Sequence, residues 1–242
     1  MDTFYCPPSG ISGDSLIIGG EEFSHLAHVM RKREGDTLMV VDGRGNGYEA
    51  VISRIERRSA HCGISAKHTG YREPYRRVTL GAGVLKNPSK FDFLVEKATE
   101  LGVVEVVPLK TERTIPSRSK SERWRKLTLA AMKQCGRSLW PEVRELTALG
   151  VLLKEPDRYD LKLVAHERMP AGEAGKAKDW LRGPGGKVPA RRNILMLVGP
   201  EGGFSEDEIA LCLGAGFEPV WLGERRLRTE TAAIASLALL MR

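Results

Sequence analysis

The chain has 242 residues, 38 Lys and Arg against 31 Asp and Glu, and 41% hydrophobic residues, which predicts one or two domains with a core large enough to fold without staples. Near-average composition excludes disordered, collagen-like and coiled-coil classes, and no run of about 18 apolar residues suggests a membrane span. Residues 1–20 lack a basic-then-apolar leader pattern, and Cys6, Cys62, Cys135 and Cys212 lack metal-ligand spacing, so the expectation is a cytoplasmic protein with no disulfide framework and no metal.

Along the chain, Glu21–Arg31 reads as a short amphipathic helix, with Phe23, Leu26, Ala27 and Met30 at helical spacing and Gly35 ending the run. Strands are expected at Thr37–Val41, Tyr48–Ile55 and Ala60–Ala66, the first two joined by the glycine-rich hairpin Asp42–Gly47. Several short strands in about 70 residues imply a small barrel or compact sheet domain. Tyr71-Arg-Glu-Pro-Tyr75 breaks the pattern and marks the boundary between domains 1–72 and 73–242. Beyond it strands alternate with helices, which implies a mostly parallel, helix-covered sheet. Val78–Val84, Val103–Leu109, Leu161–Ala165, Ile194–Val198 and Pro219–Leu222 are the strands; Phe91–Leu101, Glu122–Arg137, Ser205–Leu213 and Thr231–Met241 are the helices. Ser205 with Glu208 three residues on is a capping-box signature. Glu173–Arg192 is rich in Gly, Pro and Lys and reads as a mobile surface loop.

The net charge of +7 sits in the middle of the chain. Residues 1–72 hold 9 basic and 9 acidic residues and residues 145–242 hold 14 of each, whereas residues 73–144 hold 15 against 8. Lys110–Arg144 alone holds 10 against 3. Such a cluster is either a solvated face or a phosphate footprint, because clustered Arg and Lys displace counterions from nucleic acid. Trp124, within Glu122-Arg-Trp-Arg-Lys126, is better read as helix packing than as a base-stacking platform.

Two stretches carry chemistry. Leu195-Met-Leu-Val-Gly-Pro-Glu-Gly-Gly-Phe-Ser205 runs from a buried strand into a glycine-rich turn, which bares backbone N–H and C=O groups at the carboxyl edge of a sheet, where ligands bind in open α/β folds. It is not a Walker loop, and Gly81-Ala-Gly83 lacks the third glycine of a dinucleotide fingerprint. In Leu222-Gly-Glu-Arg-Arg-Leu-Arg-Thr-Glu-Thr-Ala232 a second strand ends in glycine and an Arg-rich loop enters an apolar helix, with Thr229 or Thr231 as a candidate cap. Either turn alone is also a plain strand-to-helix connection. Together they favour a small-molecule pocket.

These paired C-terminal motifs resemble those of the RsmE family, 16S ribosomal RNA uridine N3-methyltransferases of the SPOUT superfamily. His25-Leu-Ala-His-Val-Met-Arg-Lys-Arg-Glu-Gly-Asp36, Asp42-Gly43, Lys86-Asn-Pro-Ser-Lys90, Glu96-Lys-Ala-Thr-Glu-Leu-Gly102 and Gln134-Cys-Gly-Arg-Ser138 are similar to the family's other motifs, so the resemblance extends over nearly the whole chain. Glu224-Arg225-Arg226 departs from it, since a less charged stretch is usual there. The resemblance implies an N-terminal PUA-like β-barrel that grips RNA, then an α/β domain with a C-terminal trefoil knot. The residue pattern by itself indicates an ordinary doubly wound sheet. The resemblance further implies S-adenosylmethionine as cofactor, a homodimer, and the small ribosomal subunit's 16S RNA as partner.

By match to the motifs, the backbone of Leu197, Gly199, Gly202, Leu222, Gly223 and Leu227 would hold adenine and ribose, with Pro200 and Thr231 beside them. Arg228 and Glu230 would stabilise charge and handle the proton. Arg118, Arg123, Lys126 and Arg137 would hold phosphates, joined by Arg31 from the first domain, while His25 and His28 are either RNA contacts or packed residues. The rival readings are a same-fold enzyme acting on transfer RNA and a non-catalytic RNA-binding protein.

Overall fold

A computed structural model describes residues 3–115, 120–155, 158–167 and 193–241. The chain divides into two compact units, residues 1–73 with 129–140 and residues 74–128 with 141–242. The Glu173–Arg192 stretch lies outside the described residues.

In the first unit the elements are β1 (Thr3–Tyr5), β2 (Ile11–Ser12), β3 (Ser15–Gly19), α1 (Gly20–Ser24), β4 (Thr37–Val41), β5 (Asn46–Ile55) and β6 (Ser59–Thr69). They form one sheet in the order β1-β4-β5-β6-β3-β2, antiparallel except where β1 runs parallel to β4. Phe4, Leu16, Ile18, Leu26, Leu38, Val40 and Ile52 fill its core. The Asp42 carboxylate closes the hairpin, accepting from the Arg44 and Asn46 backbone N–H groups at 2.7 and 3.1 Å and from the Tyr48 hydroxyl at 3.2 Å.

The single helix expected over Glu21–Arg31 is instead α1 followed by a π turn over His25–Val29, in which the Met30 N–H reaches the His25 carbonyl at 2.9 Å. The expected apolar stripe is kept through the wider turn, with Phe23 and Leu26 buried, Ala27 and Met30 packed against the same core, and Val29 exposed. Arg31 then leaves the turn at a positive φ of 53°. Glu73 organises the unit's second segment, accepting from the Ser138 and Leu139 N–H groups at 2.8 and 2.7 Å and pairing with Arg137 at 2.6 Å.

The remaining elements are β7 (Arg77–Gly83), α2 (Pro88–Leu101), β8 (Glu105–Lys110), α3 (Ser121–Cys135), β9 (Glu142–Val143), β10 (Thr147–Ala148), α4 (Leu149–Leu152), β11 (Leu161–Ala165), β12 (Asn193–Val198), α5 (Glu206–Gly214), β13 (Glu218–Val220) and α6 (Thr229–Leu240). The early part of α3 belongs to the second unit and its end to the first. The second sheet is parallel throughout, in the order β10-β8-β7-β12-β11-β13, with β9 also on β8. Side chains alternate across it. Ile194, Met196 and Val198 join α2 and α6 in one core, and Leu195 and Leu197 join α4 and α5 in another.

Local signals explain the helix ends. Asn87 caps α2 by accepting the Ser89 N–H at 3.0 Å, Pro88 opens it, and Gly102 at φ 104° ends it in the left-handed region. The start is therefore earlier than Phe91, where the apolar stripe begins. The Ser205–Glu208 capping box is formed. Trp124 is buried with its ring 4.6 Å from that of Phe91, a packing residue.

Glu105, 2% exposed, takes Arg144 at 2.5 Å, Arg158 at 2.9 Å and the Thr79 hydroxyl at 3.1 Å. Replacing it with Ala would leave the partly buried Arg144 guanidinium to Glu155 alone, and Glu105→Ala should cost about 2 kcal/mol in urea unfolding. Arg144 also binds Glu155 at 2.8 Å, and this hydrogen bond holds the Glu155 carboxyl below its ordinary value. A lowered carboxyl contributes stability above its unfolded pKa, about 4.3, and that contribution is lost as pH falls through the folded value. Glu155→Gln should therefore lose less stability than the parent as pH falls below about 4.3 in paired melting curves.

Candidate active site

Because the second sheet is wholly parallel, β7, β8, β11, β12 and β13 all end on one edge. A cavity of about 350 Å³ opens there. One wall is the turn after β12, where the Gly203 N–H donates to the Pro200 carbonyl at 2.8 Å. A Cβ on Gly199 would stand 2.8 Å from the Gly203 carbonyl carbon, so the turn closes only with glycine. The second wall is the chain from Leu222 into α6. The third was not visible in the sequence. It is the start of α2, where the Lys86 N–H donates to the Glu201 carboxylate at 2.9 Å and the Lys90 ammonium lies 3.6 Å from Glu230.

Gly199, Pro200, Leu222, Gly223, Leu227, Arg228 and Glu230 all line the cavity. Leu197, Gly202 and Thr231 do not. Leu197 is buried in the α4–α5 core, and Gly202 lies against the side chain of Arg113. Thr231 is exposed, and Thr229 lines the cavity in its place, because α6 starts two residues earlier than its apolar run. Arg228 occupies the N-cap position without a side-chain cap bond, and it has no ion pair among the described residues. Glu230 therefore pairs with Lys90 and not with Arg228. Arg226 pairs with Glu167 at 3.1 Å, both exposed.

Arg113 is a second residue that sequence reading missed. Its guanidinium donates to the Gly202 carbonyl at 2.7 Å and reaches that of Phe204 at 3.5 Å. The neighbouring Glu112 N–H donates to Glu208 at 2.8 Å, so the chain after β8 latches the glycine turn at two points. Neither latch has a sequence signal, since the partners lie about 90 residues apart.

The basic residues separate by partner. Arg123 makes a two-pronged contact to Asp92 at 2.9 and 2.7 Å, and Arg137 is 3% exposed and closed on Glu73. Arg31 and Lys126 are exposed, with no ion pair among the described residues, and Arg118 lies outside those residues. His25 and His28 are exposed, their rings 5.9 and 6.4 Å from Phe4 and Phe23. Burial pushes the Cys212 thiol up to about 12, which keeps it protonated. No metal-holding cluster occurs among the described residues, and none of their helices is long and apolar enough to cross a membrane.

The family model of the RNA methyltransferase domain matches residues 72–241, and that of the RNA methyltransferase PUA domain matches residues 18–65. The chain belongs to this RNA methyltransferase family. Among relatives of the methyltransferase, the ribosomal RNA small subunit methyltransferase E of Synechocystis sp. is 30% identical over 96% of this chain and 74% of its own. That of Aquifex aeolicus is 30% identical over 95% of both. The solved structure of the ribosomal RNA small subunit methyltransferase E from Neisseria gonorrhoeae, bound to S-adenosyl methionine, is 29% identical and superposes with a TM-score of 0.81 over 99% of this chain and 96% of that one.

If Arg113 holds the glycine turn of the methyltransferase, Arg113→Ala should speed amide hydrogen exchange at residues 199–204 by roughly tenfold while the sheet strands keep their protection. Unchanged exchange in that turn would show that the guanidinium only decorates it.

Proposed function

We propose that this methyltransferase transfers a methyl group from S-adenosylmethionine to N3 of a uridine in the 16S ribosomal RNA of the small subunit. The observation that carries the reading is the cavity itself, in which two glycine-bared turns and a set of charged side chains converge at one sheet edge. Its contents suit the cofactor. Val198, Leu222, Leu227 and Ala232 offer apolar contact to an adenine, the turn at Gly199–Gly203 offers backbone groups, and Glu201, Glu224 and Glu230 offer carboxylates to a ligand bearing ammonium and sulfonium charges. The S-adenosylmethionine-bound relative supports the same assignment. When bound, the cofactor supplies a methyl group already activated by its sulfonium.

The protein's own work is alignment and charge. Gly199, Pro200, Leu222, Gly223 and Leu227 hold the cofactor, with Thr229 at the place expected for Thr231 and with Leu197 and Gly202 fixing the turn from outside the cavity. N3 of uracil carries a proton on its pairing edge, so the base must be unpaired and its proton must leave. Glu230 takes that proton, and Arg228, which has no ion pair among the described residues, faces the negative charge left on the ring.

The same reading assigns residues 1–72 to a PUA-like barrel that grips RNA and residues 73–242 to a SPOUT domain. A trefoil knot is supported by the C-terminal path: β13 lies at the sheet edge beyond β11, yet α6 returns to pack on α2, β7 and β12. A homodimer is supported by α6, which is apolar all round but leaves Leu239 exposed, and by exposed Leu211 and Leu213 on α5. The cytoplasm, where ribosomal RNA is made and assembled, is the proposed location.

Transfer of labelled methyl from S-adenosylmethionine to unmethylated small subunits, with nucleoside analysis, tests the reading. N3-methyluridine in 16S RNA is expected. Label on transfer RNA instead, or cofactor binding without transfer, would overturn it. Arg228→Ala and Glu230→Gln should each lower turnover by roughly 100-fold with cofactor and RNA affinities nearly unchanged. Lys126→Ala should reduce the log–log salt slope of RNA binding by about 1, whereas Arg123→Ala, whose guanidinium is held by Asp92, should change it less.

A further inference from the structure

Among the described residues, Lys90 is the one cavity-lining residue that comes from outside the chain's last 80 residues, and it sits in the first turn of α2. A cation there opposes the positive end of the helix dipole, so local electrostatics do not favour it. The position is offset by Glu230, 3.6 Å from the ammonium and only 12% exposed, on the first turn of α6. The Lys90 side chain keeps 34% of its surface open, so the pair does not bury the cation. The same turn of α2 is anchored by the Lys86 N–H on Glu201, which fixes where the Lys90 stem starts.

Resting on the reading above, we propose that Lys90 is a further catalytic residue, the cation that stays beside the negative charge as it moves from Glu230 to the uracil ring. In the proton-transfer step the N3–H bond breaks, the proton joins the Glu230 carboxylate, and the electron pair remains on the ring. One negative charge leaves Glu230 and one appears on the base. An ammonium already paired with Glu230 needs only a small swing to follow it, whereas a cation fixed on the base side alone would leave Glu230 unopposed beforehand. A partly open cavity edge suits a lysine for this role, since its flexible stem carries a compact point charge.

The test compares Lys90→Met, which removes the charge at similar length, with Lys90→Arg, which keeps it. Cofactor affinity is measured by calorimetry, RNA affinity by filter binding, folding by thermal melting and chemistry by single-turnover methyl transfer to small subunits. Lys90→Met is expected to slow the single-turnover step by roughly 100-fold, with cofactor and RNA affinities within about threefold of the parent, and Lys90→Arg to recover at least about a tenth of the parent rate. A Lys90→Met rate within about threefold of the parent would overturn the proposal while leaving the methyltransferase reading intact. Matched losses in melting temperature and cofactor affinity in both variants would overturn it too, by making Lys90 a structural tie. A parent protein that binds no S-adenosylmethionine and transfers nothing would instead remove the reading on which the proposal rests.

Discussion

Everything functional in the second unit depends on strands that pair in one direction only. Parallel pairing of β8, β7, β12, β11 and β13 forces every strand to deliver its following loop to the same edge, and the central place of β12 puts its turn between the loops of its neighbours. Crowding follows. A Cβ on Gly83, at the end of β7, would run into the backbone nitrogen and ring of Pro200, and one on Gly81 would stand 2.6 Å from the Leu197 side chain. The glycines at these strand ends are thus a consequence of sheet order as much as of any ligand. Leu197, expected to touch a cofactor, is part of this crowding, and Gly202 lies instead against the Arg113 side chain.

The concentrated positive charge divides along chemical lines. Within Lys110–Arg144, Arg123, Arg125, Arg137 and Arg144 are tied to Asp92, Glu145, Glu73 and Glu105, and Lys133 to Glu22. Lys110, Lys120 and Lys126 are exposed, with no ion pair among the described residues. Arginine's planar fork suits fixed two-pronged contacts, and lysine's hydrated point charge suits an open face. A count of basic residues therefore overstates the surface on offer to a polyanion. The charge cluster is real, but much of it is already paired with carboxylates of the same chain.

This explains what could be read from the sequence. Elements with a long apolar rhythm or a cap, such as β12, α2 and the Ser205-capped α5, were legible to within a few residues. β3 was not, because Ser15-Leu-Ile-Ile-Gly19 places an exposed Ile17 between buried Leu16 and Ile18 and so hides the alternation. β9 and β10 are two residues each and exist only through pairing with β8. The π turn at His25–Val29 has nearly the same apolar spacing as an α-helix, so periodicity could not separate them. In the site, the two glycine turns were legible as local chain chemistry. Lys90, Arg113 and Thr229 were not, because each gains its meaning from a partner or a helix start that only tertiary structure defines.

The cavity's electrostatics then follow from two helix starts. α2 and α6 both bring their N-terminal turns to it, and each places a cation there, Lys90 on the first and Arg228 at the N-cap of the second. Helix ends of that polarity ordinarily favour acidic side chains, as α5 does with Glu206, Asp207 and Glu208. Glu167, Glu201, Glu224 and Glu230 line the same cavity, so the two cations at the helix starts stand among carboxylates rather than in a field of one sign. On the proposed reading, an anion that forms beside Lys90 and Arg228 meets cations already close by, and only a small swing of the Lys90 stem is needed as it forms. In the function proposed above, the substrate is a nucleobase that must lose a proton before it accepts a methyl group, and its negative charge exists only during reaction. On that reading the cost of holding the cations against the helix dipoles is carried by the folded protein throughout, and the transition state benefits.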